Sequence, residues 1–314
     1  MLLTSDRLIP YLRGAVEWDL RDGALCPVKC SRKIRENWEK LAVWLRDYAE
    51  HTSGIRLDFV TDASRVSFAV AGGAFDLLAE GSLVAHGEFP EEPGILSADL
   101  SSLGETRVTL VFPNLTKGRL YSLEIPEKAS LRPWEYEERI LFLGDSITQG
   151  WSGTYPSLSF AQRTSAVLNA DCVIHGVGGG YFHPTVFEAP ENFDPDRVVI
   201  AMGTNDHSWG HSPRQVRAFA AEYLDRVKEL YGEKRVYCIL PIWRHPDTIR
   251  PEHQALWQPC LDAIREEETA RGFTVIDGGS LVPHDERFFN PDRLHPNDLG
   301  FSLYAQNLIR ILLS

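Results

Sequence analysis

The stretch Arg139–Gly150, RILFLGDSITQG, constrains the rest of the chain more than any other. Ile140, Leu141, Phe142 and Leu143 form an apolar run of the length and character of a strand buried on both faces of a parallel sheet. Gly144 then permits a sharp turn, Asp145 offers a carboxylate to hydrogen-bond back onto it, and Ser146 stands where the strand gives way to a helix. Open α/β folds gather their ligands at that carboxyl edge. Ser146 is therefore the candidate nucleophile. The triplet Gly-Asp-Ser is common in turns for conformational reasons alone, so its weight rests on its company.

From Arg139 onward the pattern alternates. Strands are predicted at ILFLGD, DCVIHGV, RVVIAMG, RVYCILPI and FTVIDG, with helices near 157–169, 213–231, 252–271 and 297–313. That order predicts a parallel sheet with helices on both faces over residues 139–314. Residues 1–130 read differently. A helical pattern carrying Ile34, Trp38, Leu41, Leu45 and Tyr48 precedes the strand-like runs IRLDFV, RVSFAV, FDLLAE, SLVAHGEF and RVTLVF, separated by turn residues. We expect a small antiparallel β-sandwich domain with one helix packed on it, and a proline- and charge-rich linker at 131–138.

Composition narrows the partners. A formal charge of -12 argues against nucleic acid or an anionic membrane surface, since an acidic surface repels phosphates. A neutral small molecule or oligosaccharide is easier to accommodate, and no feature decides between a monomer and a homo-oligomer. Asp6 and Arg7 interrupt the N-terminal stretch before an apolar run develops, and no segment reaches the roughly 20 apolar residues of a membrane span, so a cytoplasmic location is expected. The five cysteines, odd in number and scattered, suggest reduced thiols; the C-x3-C spacing of Cys26 and Cys30 has no second pair to complete a zinc site.

The predicted strand ends converge. The first leads to Ser146, the second to GVGGG at 176–180, the third to GTND at 203–206, and the fifth to DRLH at 292–295. Parallel strands put all four clusters on one edge of one sheet. Acyl transfer by serine requires a nucleophile, a histidine base, a carboxylate to orient the ring, and donors for the oxyanion. His295 fits the base, and Asp292, three residues earlier, is within reach of its Nδ1. The amides of Ser146 and Gly179 and the side-chain amide of Asn205 fit the oxyanion donors. Asp206 is expected to brace its loop. Trp151, Tyr155, Tyr181, Phe182, Trp209 and Trp243 all follow catalytic ends of strands; of these, Trp151, Tyr155, Tyr181, Trp209 and Trp243 are the candidates for binding substrate. His207 and His211 are spaced for two metal ligands on one helical face, but Gly210 and Pro213 make that region a loop, and exposed polar residues are the better reading.

GDSITQG, GVGGG, GTND and DRLH, in this order, resemble the four sequence blocks of the SGNH (GDSL) hydrolase superfamily. By block, the resemblance assigns the nucleophile to Ser146, the oxyanion glycine to Gly179, the oxyanion asparagine to Asn205, and the acid and base to Asp292 and His295. The glycine block is the loosest, with His175 where many members carry asparagine, so Gly178 and Gly180 stand as neighbouring alternatives to Gly179. The family implies a flavodoxin-like three-layer α/β/α domain with a five-stranded parallel sheet, and ester hydrolysis with neither metal nor other cofactor. The N-terminal half is similar to the β-sandwich preceding that domain in two-domain members, several of them carbohydrate esterases. The expected activity is hydrolysis of a short acyl ester, acetyl above all, of a carbohydrate or small alcohol. The alternatives are a thioesterase or lysophospholipase acting on longer chains and, outside enzymes, a carbohydrate-binding protein on an inactive hydrolase scaffold.

Overall fold

The computed structural model describes residues 1–314. The apolar runs of the second half form an all-parallel sheet of five strands, Glu138–Gly144, Ala170–Gly176, Arg197–Ala201, Arg235–Ile239 and Thr274–Ile276. In space the first strand lies between the second and the third, with the fourth and fifth following. This is the flavodoxin-like order, and its topological switch point is beside the first strand. The carboxyl ends stay level, since Gly144 pairs with Gly176 on one side and Ala201 on the other, and Ala201 pairs with Ile239. The loops that follow therefore leave a common edge.

Successive side chains on these strands point to opposite faces and supply two cores. Ile140, Phe142 and Val199 face the helices Phe160–Val167 and Asp298–Leu313, where the rings of Phe160 and Tyr304 stack with centroids 4.0 Å apart. Leu141, Leu143, Val198 and Ile200 face Pro213–Tyr231 and Gln254–Ala270. The first of that second pair starts at a capping box between Ser212 and Gln215 with Pro213 at the first helical position, where its missing N–H costs nothing.

The N-terminal half builds two antiparallel sheets of six strands each around a separate core that includes Phe59, Phe68, Phe75 and Leu110. The expected helix is corrected in two respects. It is two helices, Arg32–Leu41 and Val43–Ala49, because Ala42 is extended with φ −164°. Nor does it pack on the sandwich: Ile34, Trp38, Leu45 and Ala49 belong to the second core of the parallel sheet. The reason lies in the topology. The crossover from Ala170–Gly176 to Arg197–Ala201 contains no helix, so Val173 and Val177 would lack cover on that face. The two N-terminal helices supply the missing layer.

The linker expected at 131–138 is partly strand, since Leu131–Pro133 pairs with Arg56–Thr61 at a sheet edge. Beside it, the buried guanidinium of Arg56 donates to the carbonyl of Ala170 at 3.3 Å and to Asp171 at 3.1 Å, tying the sandwich to the edge of the parallel sheet. The five cysteines form no disulfide, and no helix is long and apolar enough to cross a membrane.

If the N-terminal helices are part of the parallel sheet's core, Trp38→Ala should act as a core truncation. We expect a loss of about 3–5 kcal/mol in urea unfolding, the usual range for a buried tryptophan cut to alanine. A loss near zero would mean that the helix pair is dispensable to that core.

Candidate active site

The turn after the first strand is set locally. Asp145 caps the short helix Ser146–Gln149, its side chain accepting from the amide of Ile147 at 2.9 Å, and Gly150 ends the helix in the left-handed region at φ 89°. Ser146 is thereby held at the mouth of the sheet edge, 7% exposed. Burial pushes the Asp145 carboxyl up to about 6, against the opposing pull of the capping amides, His295 and Arg244.

The structure brings Ser146, His295 and Asp292 together. The Ser146 hydroxyl lies 2.8 Å from Nε2 of His295, and Nδ1 of the same ring lies 2.7 Å from Oδ2 of Asp292. The other Asp292 oxygen accepts from the amides of Leu294 and His295, both at 3.0 Å. Burial works against ionisation of Asp292, but the bonds from the His295 ring and these two amides outweigh it and bring the carboxyl down to about 2. An ionised Asp292 accepts from Nδ1–H, which leaves Nε2 unprotonated and able to take the serine proton. The loop carrying these residues is pinned by Asn290, whose side-chain amide donates to the carbonyl of Pro296 at 2.9 Å, and by a bridge between Phe289 and Pro296.

The glycine loop folds over the turn that carries Ser146. Only glycine fits at Gly176, where a Cβ would stand 2.3 Å from the amide nitrogen of Gln149. Of the three following glycines, Gly178 donates its amide to Oε1 of Gln149 at 2.8 Å, and Gly180 donates to the carbonyl of Val177 at 2.8 Å. The amides of Gly179 and Ser146 donate to no other group of the chain. Gly179 also has φ +72° and a Cβ there would meet Trp44 at 2.5 Å, so no larger residue suits the position. Asn205 spends one side-chain N–H on the carbonyl of Gly180 at 2.9 Å, and its amide carries a second. Asp206 ties its loop to the glycine loop, accepting from the amide of Phe182 at 3.2 Å.

The aromatic candidates divide. Trp151 stacks on His295 with centroids 6.1 Å apart, and Trp209 donates its indole N–H to the carbonyl of Gly179 at 3.1 Å. Tyr181 is 5% exposed and packed between Trp38 and Trp209, which makes it support. Phe182 is fully buried against Tyr223. Tyr155 lies edge-on to His86 of the sandwich, and Trp243 packs on His284 and Phe289. Those two are not part of the ring series beside His295. His207 is corrected from the exposed placement expected of it: it is buried, 2% exposed, against Trp257, while His211 contacts Tyr181 and Phe219.

Three contributors escaped the sequence reading. Trp44 and Tyr48, from the helix Val43–Ala49, complete a ledge: Trp209 stacks on Trp44 at 5.7 Å, Trp44 meets Tyr48 at 5.5 Å, and Tyr48 meets Trp151 at 5.1 Å. The signal available was Trp44 itself, a large aromatic lying off the apolar stripe of its helix. Arg244, after the fourth strand, is buried and donates to the carbonyl of Thr204 at 3.1 Å, fixing the third loop from behind. Burial draws its guanidinium down to about 10 despite the opposing charges of Asp145 and Asp292.

The family model described as "GDSL-like Lipase/Acylhydrolase family" matches residues 142–303. A curated relative, platelet-activating factor acetylhydrolase IB subunit alpha1 of Pongo abelii, is 25% identical over 189 residues, covering 56% of this chain and 76% of its own. Among solved structures, the salicylyl-acyltransferase SsfX3 from a tetracycline biosynthetic pathway has a TM-score of 0.83 at 18% identity, covering 100% of this chain and 96% of its own. A family two carbohydrate esterase from Clostridium thermocellum, solved in complex with cellohexaose, has a TM-score of 0.66 at 17% identity, covering 83% and 92%. At these identities the structural likenesses speak to fold.

Asp206 yields a pH prediction. Burial pushes its carboxyl up to about 8, with Asp145 adding to the effect. Between its unfolded value near 4 and that folded value, the native state holds a proton that the unfolded chain has lost, so this group's contribution to stability falls as pH rises. Relative to Asp206→Asn, the parent should lose about 1 kcal/mol of unfolding free energy per pH unit between about pH 5 and about pH 7. A difference between the two that does not vary with pH, measured by urea unfolding, would refute the assignment.

Proposed function

This chain belongs to the GDSL-like lipase/acylhydrolase family, and on that premise we propose that it is a serine esterase that removes short acyl groups, acetyl above all, from a carbohydrate or small neutral alcohol. The observation that carries this reading is the hydrogen-bonded chain of Ser146, His295 and Asp292, at 2.8 and 2.7 Å, beside two amides with no partner in the chain.

In the proposed cycle the Ser146 oxygen attacks the ester carbonyl as Nε2 of His295 takes its proton. The developing oxyanion is met by the amides of Ser146 and Gly179 and by the free N–H of Asn205. His295 returns the proton to the leaving alcohol, and water then cleaves the acyl-enzyme with the same ring as base. Asp292 stays ionised throughout, orienting the ring and stabilising the imidazolium.

The substrate class rests on separate support. The ledge of Trp151, Tyr48, Trp44 and Trp209 offers flat apolar faces with polar edges, which suit a sugar ring. A net charge of -12 disfavours an anionic alcohol. The relative that bears the name acetylhydrolase favours the acetyl group, and the neighbour solved with cellohexaose favours a carbohydrate. Unpaired thiols favour a reducing compartment, and the cytoplasm is the proposed location.

A chain-length series of nitrophenyl esters should peak at acetate, and Ser146→Ala should abolish turnover. Asn205→Ala should lower kcat on the order of a hundredfold, the usual loss for one oxyanion donor. Acetate release from acetylated oligosaccharides tests the alcohol. A preference for chains of about eight carbons or more would replace the acetyl reading with a longer-chain one, and near-parental activity in Ser146→Ala would end the esterase reading altogether.

A further inference from the structure

Gln149 is the last residue of the nucleophile's short helix, 1% exposed, and every hydrogen-bonding group of its side chain is used. Oε1 accepts from the amide of Gly178 at 2.8 Å. Nε2 donates to the carbonyl of Asn114 at 2.9 Å and lies 2.9 Å from Nδ1 of His51. These partners fix which way the amide points, because two acceptors face its nitrogen and one donor faces its oxygen. His51 serves as an acceptor only while neutral. Burial, with help from the charge of Lys29, holds its pKa down to about 4, and Nε2 faces Asp47 at 3.4 Å, which sets the tautomer with Nδ1 unprotonated.

Two of the three anchors of this side chain thus belong to the N-terminal half, although the side chain itself sits in the hydrolase block. Its third partner is in the glycine loop. Gly178 and Gly180 have their amides engaged, by Gln149 and by Val177 respectively, and Gly179 between them does not. The carbonyl of Gly179 is in turn held by Trp209, on which Trp44 of the N-terminal half stacks with an interplanar angle of 10°.

We propose that Gln149 is a positioning residue that makes Gly179 the oxyanion donor: it takes the Gly178 amide out of play, orients the loop, and transmits to it the rigidity of His51 and the Asn114 backbone. The N-terminal half is then a wall of the oxyanion site as well as a neighbour of the substrate. The inference rests on the esterase reading above for its activity arm and on the hydrogen bonds alone for its exchange arm.

The test uses the full-length protein with nitrophenyl acetate, together with hydrogen exchange of the backbone across residues 176–181. Gln149→Leu should fold, lower kcat on the order of a hundredfold with KM within about threefold, and lose exchange protection at Gly178, as expected for a misaligned oxyanion donor. Gln149→Glu keeps an acceptor for the Gly178 amide but sets its second oxygen against the Asn114 carbonyl and Nδ1 of His51, so it should recover neither the kcat nor the protection. If Gln149→Leu fails to fold, His51→Leu removes one anchor and is read by the same two measurements, with losses in the same direction. Parent-like kcat in a folded leucine variant, or a lowered kcat with Gly178 still protected, overturns the proposal. An inactive parent overturns the esterase reading instead, and the exchange arm still decides whether Gln149 holds the loop.

Discussion

The hydrogen bond between the Ser146 hydroxyl and Nε2 of His295 joins residues 149 positions apart in the chain. Such a contact has little strength of its own, and a displacement of about an ångström would cost the chemistry that depends on it. It is held because both partners hang from the same packed layer. Ser146 follows the first strand, and His295 stands three positions before Asp298–Leu313, a helix that stacks Tyr304 on Phe160 of its neighbouring helix and shares one core with Ile140 and Phe142 of that strand. The proton path is as rigid as this core.

The second face of the sheet solves a different problem. A parallel sheet needs both faces covered, and the crossover after the second strand brings no helix with it. The helices Arg32–Leu41 and Val43–Ala49 fill that place from the other half of the molecule, with Trp38, Leu45 and Ala49 among their buried residues. Once there, they also carry Trp44 and Tyr48 to the rim where the glycine loop emerges. A requirement of packing has thereby placed N-terminal side chains beside Gly179.

Charge in the same region is confined rather than dispersed. Asp145 and Asp206 are both buried with their carboxyls raised, Arg244 is buried with its guanidinium lowered, and Asp292, nearer to solvent, is the carboxyl held well into its ionised range. Divergent environments for neighbouring acids are how one site keeps one carboxylate charged for work while others brace loops.

Much of this was legible in the residues themselves. The five strands of the parallel sheet and the helix at Pro213–Tyr231 follow from apolar runs and caps that act over a few neighbouring residues, and the order of blocks put Ser146, Asn205, Asp292 and His295 on one edge. Those signals are local, so a sequence carries them in full. The break at Ala42, the side of the sheet that the N-terminal helices cover, the diversion of Tyr155 to His86 and Trp243 to His284, and the choice among Gly178, Gly179 and Gly180 were decided elsewhere. Apart from the break at Ala42, each depends on a partner tens of residues or more away that competes for the same surface or the same hydrogen bond. The sequence determined which groups could do the chemistry; only the packing of two halves against each other determined which of them are free to do it.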